Sequence, residues 1–304
     1  MALENVFSWS KSRDEQFREC QRRYFYDKYA SWGGWDRKAP PEIRLAYVLK
    51  NLKNRWAWKG ETVHHVIEYA LKALRRGRPL SAEAVQELLT GLMRNDYRSS
   101  KTKKYYEDPK NSAGLFEHEY AKGVPEGAWK KLHDSALDCL KNFLNSKLYV
   151  ELSADEGASW LAIEELEEFG FEGTKVYVKL DFARRKNGVV EIYDWKTGKA
   201  ADETWLQMGV YTIYAMQKWK VTLDQVKTYL LYLSEPSPQP VSEAVTEDVI
   251  NRTQGFMAQS IEGMRALLSD PAKNIPKPRE NFKFTDDTRL CQNCNFYRIC
   301  EKFR

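Results

Sequence analysis

The dipeptide Asn187-Gly188 constrains this chain more than any other feature. It separates two runs of bulky, strand-forming residues, TKVYVKLDFARRK and VVEIYDWK. Asn-Gly between such runs is a strong short-range signal for a β-hairpin, because both central residues of its turn need positive φ. The hairpin carries Asp181 on its first strand and Asp194 and Lys196 on its second. Residues i and i+2 of a strand share a face, so Asp194 and Lys196 point the same way just before Thr197-Gly198 ends the run. The turn brings 181 and 194 to neighbouring places on adjacent strands. Either the three charges form an ion-pair cluster at a sheet rim, or they face a common third object.

Two carboxylates held a few ångströms apart repel, and a divalent cation removes that penalty. Mg²⁺ prefers oxygen, keeps several waters and takes one or two protein carboxylates together with substrate phosphate. Lys196 can then orient an attacking water or neutralise charge developing on phosphorus. The run ETWLQMGVYTIYAMQKW has helical spacing across 203–219 and puts Gln207, Tyr211 and Tyr214 on one face. An amide and a phenol there can reach a phosphate.

Before the hairpin, SWLAIEELEEFGF reads as a further strand, with Glu164 and Glu165 facing opposite ways. The N-terminal half is helical in pattern: 12–30, 42–76 with an interruption near Gly60, a helix after the N-cap Ser81, and 125–147. After 219 come a strand at 226–234 and a helix over about 243–268. No repeat or long linker divides the 304 residues. The expectation is therefore one α/β domain with a helical insertion at about 77–150 and a cysteine-bearing segment at 285–304.

Charge is uneven. Residues 11–59 hold 13 Lys/Arg against 6 Asp/Glu, interleaved with ten aromatics, whereas 151–172 carry eight acids and no base. Basic groups mixed with flat rings can hold phosphates and stack bases. The same pattern also describes an amphipathic region with a basic solvated face and an aromatic core. No G-x-x-x-x-G-K-[ST] loop is encoded, which excludes a P-loop motor. There is no long apolar run, and MALENVFSWSKSRDEQ is too polar for a leader, so the expected address is the cytoplasm, with no membrane partner.

Taken together, Asp181, Asp194-Trp195-Lys196-Thr197-Gly198 and Gln207-x-x-x-Tyr211 resemble the RecB-like branch of the PD-(D/E)xK nuclease superfamily. Leu180, not Pro, precedes Asp181, which leaves the carboxylate unaffected. The resemblance implies a restriction-endonuclease-like mixed central sheet flanked by helices. It also implies a Mg²⁺ or Mn²⁺ site held by His64, Asp181, Asp194 and the Trp195 carbonyl, with Glu164 as a further carboxylate. His64 stands in the family's G-x-x-x-His setting, Gly60-Glu61-Thr62-Val63-His64, and flanks an apolar helical stripe, while His65 points nearly opposite. Lys196 would activate water, and Gln207 and Tyr211 would contact substrate. The implied activity is DNA cleavage, most naturally exonucleolytic on single-stranded or frayed ends. A second implied role is that of a DNA-clamping subunit beside a helicase or CRISPR-adaptation proteins.

Of the five cysteines, Cys291, Cys294 and Cys300 lie within ten residues and need a fourth ligand from afar. That spacing suits zinc at least as well as an iron–sulfur cluster. AddB-type subunits and the iron–sulfur nucleases of CRISPR adaptation look similar here. By that resemblance Cys20 joins Cys291, Cys294 and Cys300 around a [4Fe–4S] cluster that staples the two termini. Cys139, between Leu137 and Leu140, is left as a core residue.

Overall fold

A computed structural model describes residues 4–155, 157, 159–198 and 204–303 of the protein. Strand β1 (Ser8–Trp9) leads into α1 (Lys11–Glu19), α2 (Gln21–Phe25) and a π-helical turn at Tyr26–Ala30. Then follow α3 (Pro41–Lys50), β2 (Leu52–Lys53), α4 (Arg55–Arg75), α5 (Ala82–Lys101), β3 (Gly114–Leu115), α6 (Phe116–Glu119), α7 (Glu126–Leu144) and α8 (Lys147–Ser153). The long strands are β4 (Trp160–Phe171), β5 (Thr174–Lys186) and β6 (Val189–Lys196). After them come α9 (Thr204–Trp219), β7 (Val226–Tyr232), β8 (Val241–Glu243), α10 (Glu247–Arg265), β9 (Leu268–Asp270), β10 (Ile275–Pro276) and α11 (Thr288–Gln292). Position 203, the expected start of α9, lies outside the described residues. None of the described helices is long and apolar enough to cross a membrane.

Two expected boundaries are corrected. The helical run 12–30 breaks at Cys20, whose φ of −164° is extended. The run 42–76 breaks at Asn51–Asn54, not at Gly60, because the Asn54 side chain caps α4 by accepting from the backbone N–H groups of Trp56 and Ala57. Gly60 lies inside α4, where an added Cβ would stand 3.2 Å from Thr197 Oγ1. Glycine there serves the close approach of α4 to the end of β6, rather than a helix break.

The central sheet is mixed. β4, β5 and β6 are antiparallel neighbours, β6 and β7 are parallel, and β8 closes the edge. β1 adds in parallel along residues 175–176 of β5, in line with β6 on the same edge. The hairpin turn carries positive φ at both Asn187 and Gly188. One face of the sheet packs against α9 and α10, the other against α4, α5 and α7. The pleat changes phase at Asp181: Val176, Val178 and Leu180 join the α9 core, whereas Phe182 joins the α4 core. On the neighbouring strand Glu164 has φ 53°, a left-handed value that few side chains adopt inside a strand. The functional carboxylates sit at this seam.

Candidate active site

β5 and β6 are in register with Phe182 opposite Tyr193, so the next step places Asp181 against Asp194. The ladder does not continue normally there, since the Trp195 N–H donates to Asp181 Oδ2 at 2.6 Å. That bond fixes the carboxylate, leaving Oδ1 3.3 Å from His64 Nδ1. His64 comes from α4, and its Nδ1 is also 2.9 Å from Glu164 Oε1. Across Glu164, Oε2 meets Lys179 Nζ at 2.6 Å. Donor atoms of His64, Glu164 and Asp181 all lie within 4.8 Å of one another, the one such group among the described residues.

Asp194 stands beside this trio and belongs to a second network. Its Oδ2 is 2.6 Å from Lys196 Nζ but is buried without a hydrogen bond of good geometry. Gln207 of α9 locks the arrangement from above. Its carbonyl accepts from Lys196 Nζ at 3.0 Å, while its amide donates to Asp194 Oδ1 at 2.6 Å and to the Tyr211 hydroxyl at 2.8 Å. The Tyr211 hydroxyl in turn donates to the Lys179 carbonyl at 2.8 Å. The i, i+4 spacing on α9 is what lets amide and phenol meet.

Burial disfavours ionisation of Asp194, the charge of Asp181 adds to this, and Lys196 offsets part of it, so its pKa is pushed up to about 6. For His64, burial favours the neutral ring, yet Asp181 and Glu164 outweigh it and raise the pKa well above the usual imidazole range. Burial, with help from the Asp194 and Asp181 charges, also holds Tyr211 in its phenol form. The donor set of two carboxylates and one imidazole, with the buried Asp194 carboxylate alongside, fits a divalent ion of the Mg²⁺ or Mn²⁺ kind.

The structure therefore brings His64, Glu164, Asp181, Asp194, Lys196, Gln207 and Tyr211 to one place. Trp195 contributes a backbone N–H, and its ring is buried against Phe143 and Phe182. His65 turns outward, its side chain 61% exposed. Tyr214 departs from the expected face: it packs in the α9 core beside Phe169 and Trp219. Seven residues on from Gln207, a helical face has drifted off the seam and into the protein. Lys179 escaped sequence reasoning, although its i−2 relation to Asp181 was a usable signal. The left-handed backbone at Glu164 left no such signal.

A second cluster lies between the termini. Cys20, Cys291, Cys294 and Cys300 line one small cavity of about 20 Å³, with Arg23 and Lys302 also on its wall. Burial raises the Cys291 thiol, and the neighbouring Cys20 and Cys300 add to the shift. Burial likewise pushes Cys294 up to about 11. Around the cavity, the Arg22 N–H donates to the Lys283 carbonyl at 3.0 Å and the Tyr26 hydroxyl to Glu301 Oε2 at 2.6 Å. Cys139 is buried in the α4–α7 core. Of the N-terminal aromatics, Tyr24, Tyr26 and Trp58 are buried, while Trp32, Trp35 and Trp56 are exposed. The aromatic-core reading holds for the buried rings, and the exposed ones lie on the surface.

Among solved structures the chain is similar to a candidate exonuclease from Eubacterium rectale. They are 13% identical over 64% of this chain and 80% of that one, with a TM-score of 0.31. It is also similar to the protein SSO0001, 18% identical over 61% and 78% of the respective chains, with a TM-score of 0.28. Likeness this low bears on neither fold nor function. No curated protein matches the chain. The profile of the PD-(D/E)XK nuclease superfamily, by contrast, matches residues 8–301, nearly the whole length. With its acidic seam, strand-end lysine and helical histidine in place, the chain belongs to that superfamily.

Proposed function

We propose that the protein is a cytoplasmic, divalent-metal-dependent deoxyribonuclease that trims single-stranded or frayed DNA ends. The observation that carries this reading is the meeting of His64, Glu164 and Asp181 within 4.8 Å, next to an Asp194–Lys196 pair held by Gln207. His64, Glu164, Asp181, Asp194 and the Trp195 carbonyl are the groups that would hold Mg²⁺ or Mn²⁺. Once bound, the ion supplies Lewis-acid chemistry for phosphodiester hydrolysis. Lys196, its ammonium fixed between Asp194 and Gln207, orients the attacking water and meets the charge that grows on phosphorus. Tyr211 keeps its proton and steadies both Gln207 and the β5 backbone at Lys179. The whole chain acts as one nuclease domain, with 77–150 as an insertion.

The second part of the reading is a structural [4Fe–4S] cluster on Cys20, Cys291, Cys294 and Cys300. The four cysteines, from the two ends of the chain, line one cavity, and four thiolates are the ligand set of such a cluster; tetrahedral zinc takes the same set. Anaerobic purification tests it: a brown protein with iron and sulfide is expected, and a colourless protein carrying zinc overturns it.

Cleavage is tested on end-labelled single- and double-stranded DNA with Mg²⁺, Mn²⁺ or chelator. Asp194→Ala and Lys196→Ala should each lower metal-dependent cleavage by at least about a hundredfold while circular dichroism stays unchanged. Full activity in either variant refutes the assigned roles. If wild type binds single strands but cuts none, the protein is instead a clamp for a helicase or CRISPR-adaptation complex.

A further inference from the structure

Lys179 is not part of the acidic trio, and nothing in the roles assigned so far uses its charge. It lies two residues before Asp181 on β5 and lines the same groove as Asp181. Its ammonium is 2.6 Å from Glu164 Oε2, yet the side chain is 51% exposed where that of Glu164 is 2% exposed. Two surface grooves flank the site. One runs past Trp58, His64, His65 and Glu164, and the other past Lys11, Arg13, Gln207 and Tyr211; Lys179 lines both.

A phosphodiester approaching this seam meets three carboxylates, of Glu164, Asp181 and Asp194. Lys196 is spoken for by Asp194 and Gln207. Lys59 is buried and donates to the Thr197 carbonyl at 3.0 Å. Lys179, half-exposed although paired with Glu164, is the cation common to both grooves, with Lys11 and Arg13 on one wall and Lys53 on the other. Its backbone is fixed as well, because its carbonyl accepts from Tyr211. A fixed backbone under a half-exposed ammonium provides reach without loss of register.

Resting on the nuclease reading, we infer that Lys179 is a substrate-positioning residue. It holds a phosphate of the DNA strand at the point where one groove passes into the other, beside the phosphate under attack. The strand lies across the seam, with one side in the His64 groove and the other against the first turn of α1. A purely structural role, as counter-charge to Glu164, predicts different behaviour.

The experiment uses the full chain and Lys179→Gln. Steady-state cleavage of a labelled single strand in Mn²⁺ should show KM raised about tenfold with kcat within about threefold, the signature of lost uniform binding. Binding of the same oligonucleotide in chelator should show a log K versus log salt slope shallower by about 0.7, the value of one phosphate contact on a single strand. Lys179→Arg should restore both. Unchanged KM and slope overturn the inference, as does a fall in kcat at constant KM, which would mark Lys179 as a partner of Glu164 alone. If Lys179→Gln fails to fold, Lys179→Arg decides: KM within twofold of wild type supports the inference, and a tenfold rise overturns it. A wild type that never cuts DNA defeats the underlying reading as well, and so is told apart from failure of Lys179 alone.

Discussion

A single amide sets the geometry of the reacting side chains. Gln207 accepts from Lys196 with one end and donates to Asp194 and Tyr211 with the other, so it can sit only one way round. Gln207→Glu replaces both donors by an acceptor facing a carboxylate. It should reduce kcat more than about tenfold with little change in Tm, readable in one steady-state series. Protons matter equally. Asp194 titrates at about 6 and His64 well above its usual range, so both carry protons in mildly acidic solution without metal. An incoming divalent ion must displace them. Mn²⁺ affinity measured by calorimetry should therefore fall as pH drops through 6, with protons released on binding. The sign for stability is opposite: a carboxyl whose folded pKa exceeds its unfolded value is stabilised while protonated, and that contribution is lost as pH rises from about 4 through 6. Asp194→Asn should then raise the Tm of metal-free protein above pH 6, change it little near pH 4, and abolish cleavage.

At the scale of elements, the hairpin, the strands beside it and α9 were legible because turn chemistry and alternation speak locally. Asn187-Gly188 fixed the register of β5 on β6, and with it the meeting of Asp181 and Asp194. What stayed hidden depended on partners far away in sequence. Gly60 read as an interruption, whereas its neighbour across the fold, Thr197, makes it a contact. Tyr214 read as a member of the functional face, and only the approach of Phe169 shows it to be core. Glu164 entered through resemblance, and its left-handed backbone, which brings the carboxylate to His64, is a property of two strands together. The packing of α9 on α10 shows the same dependence. A Cβ on Gly209 would come within 2.1 Å of Thr253 Oγ1 and 3.0 Å of its Cβ. Thr253 is fully buried and cannot retreat. Gly209→Ala should destabilise by about 1–3 kcal/mol in a denaturant titration, and Thr253→Ala in the same chain should recover part of that loss.

Across the whole molecule, the two ends of the chain are interlocked. Cys20 faces Cys291, Cys294 and Cys300, Phe25 packs on Phe282 at 4.9 Å, and Tyr26 stacks on Phe296 at 5.4 Å. If the four thiolates hold a cluster, replacing Cys20 by Ser should bleach the protein and lower its Tm by several degrees. The first turn of α1, which lines a groove at the active site, should loosen with it, so cleavage should fall although no acidic residue has changed. The cysteine spacing alone could not choose between zinc and a cluster, since ligand identity is written in distances between segments some 270 positions apart. Farther along the tail, Arg298 meets Glu119, a carboxylate only 1% exposed that also accepts from the hydroxyls of Tyr105 and Tyr106 at 2.7 Å. Arg298→Ala, which leaves all four cysteines in place, would strip that sunken acid of its guanidinium. Damage would then surface in the middle of the polypeptide, 179 positions from the change.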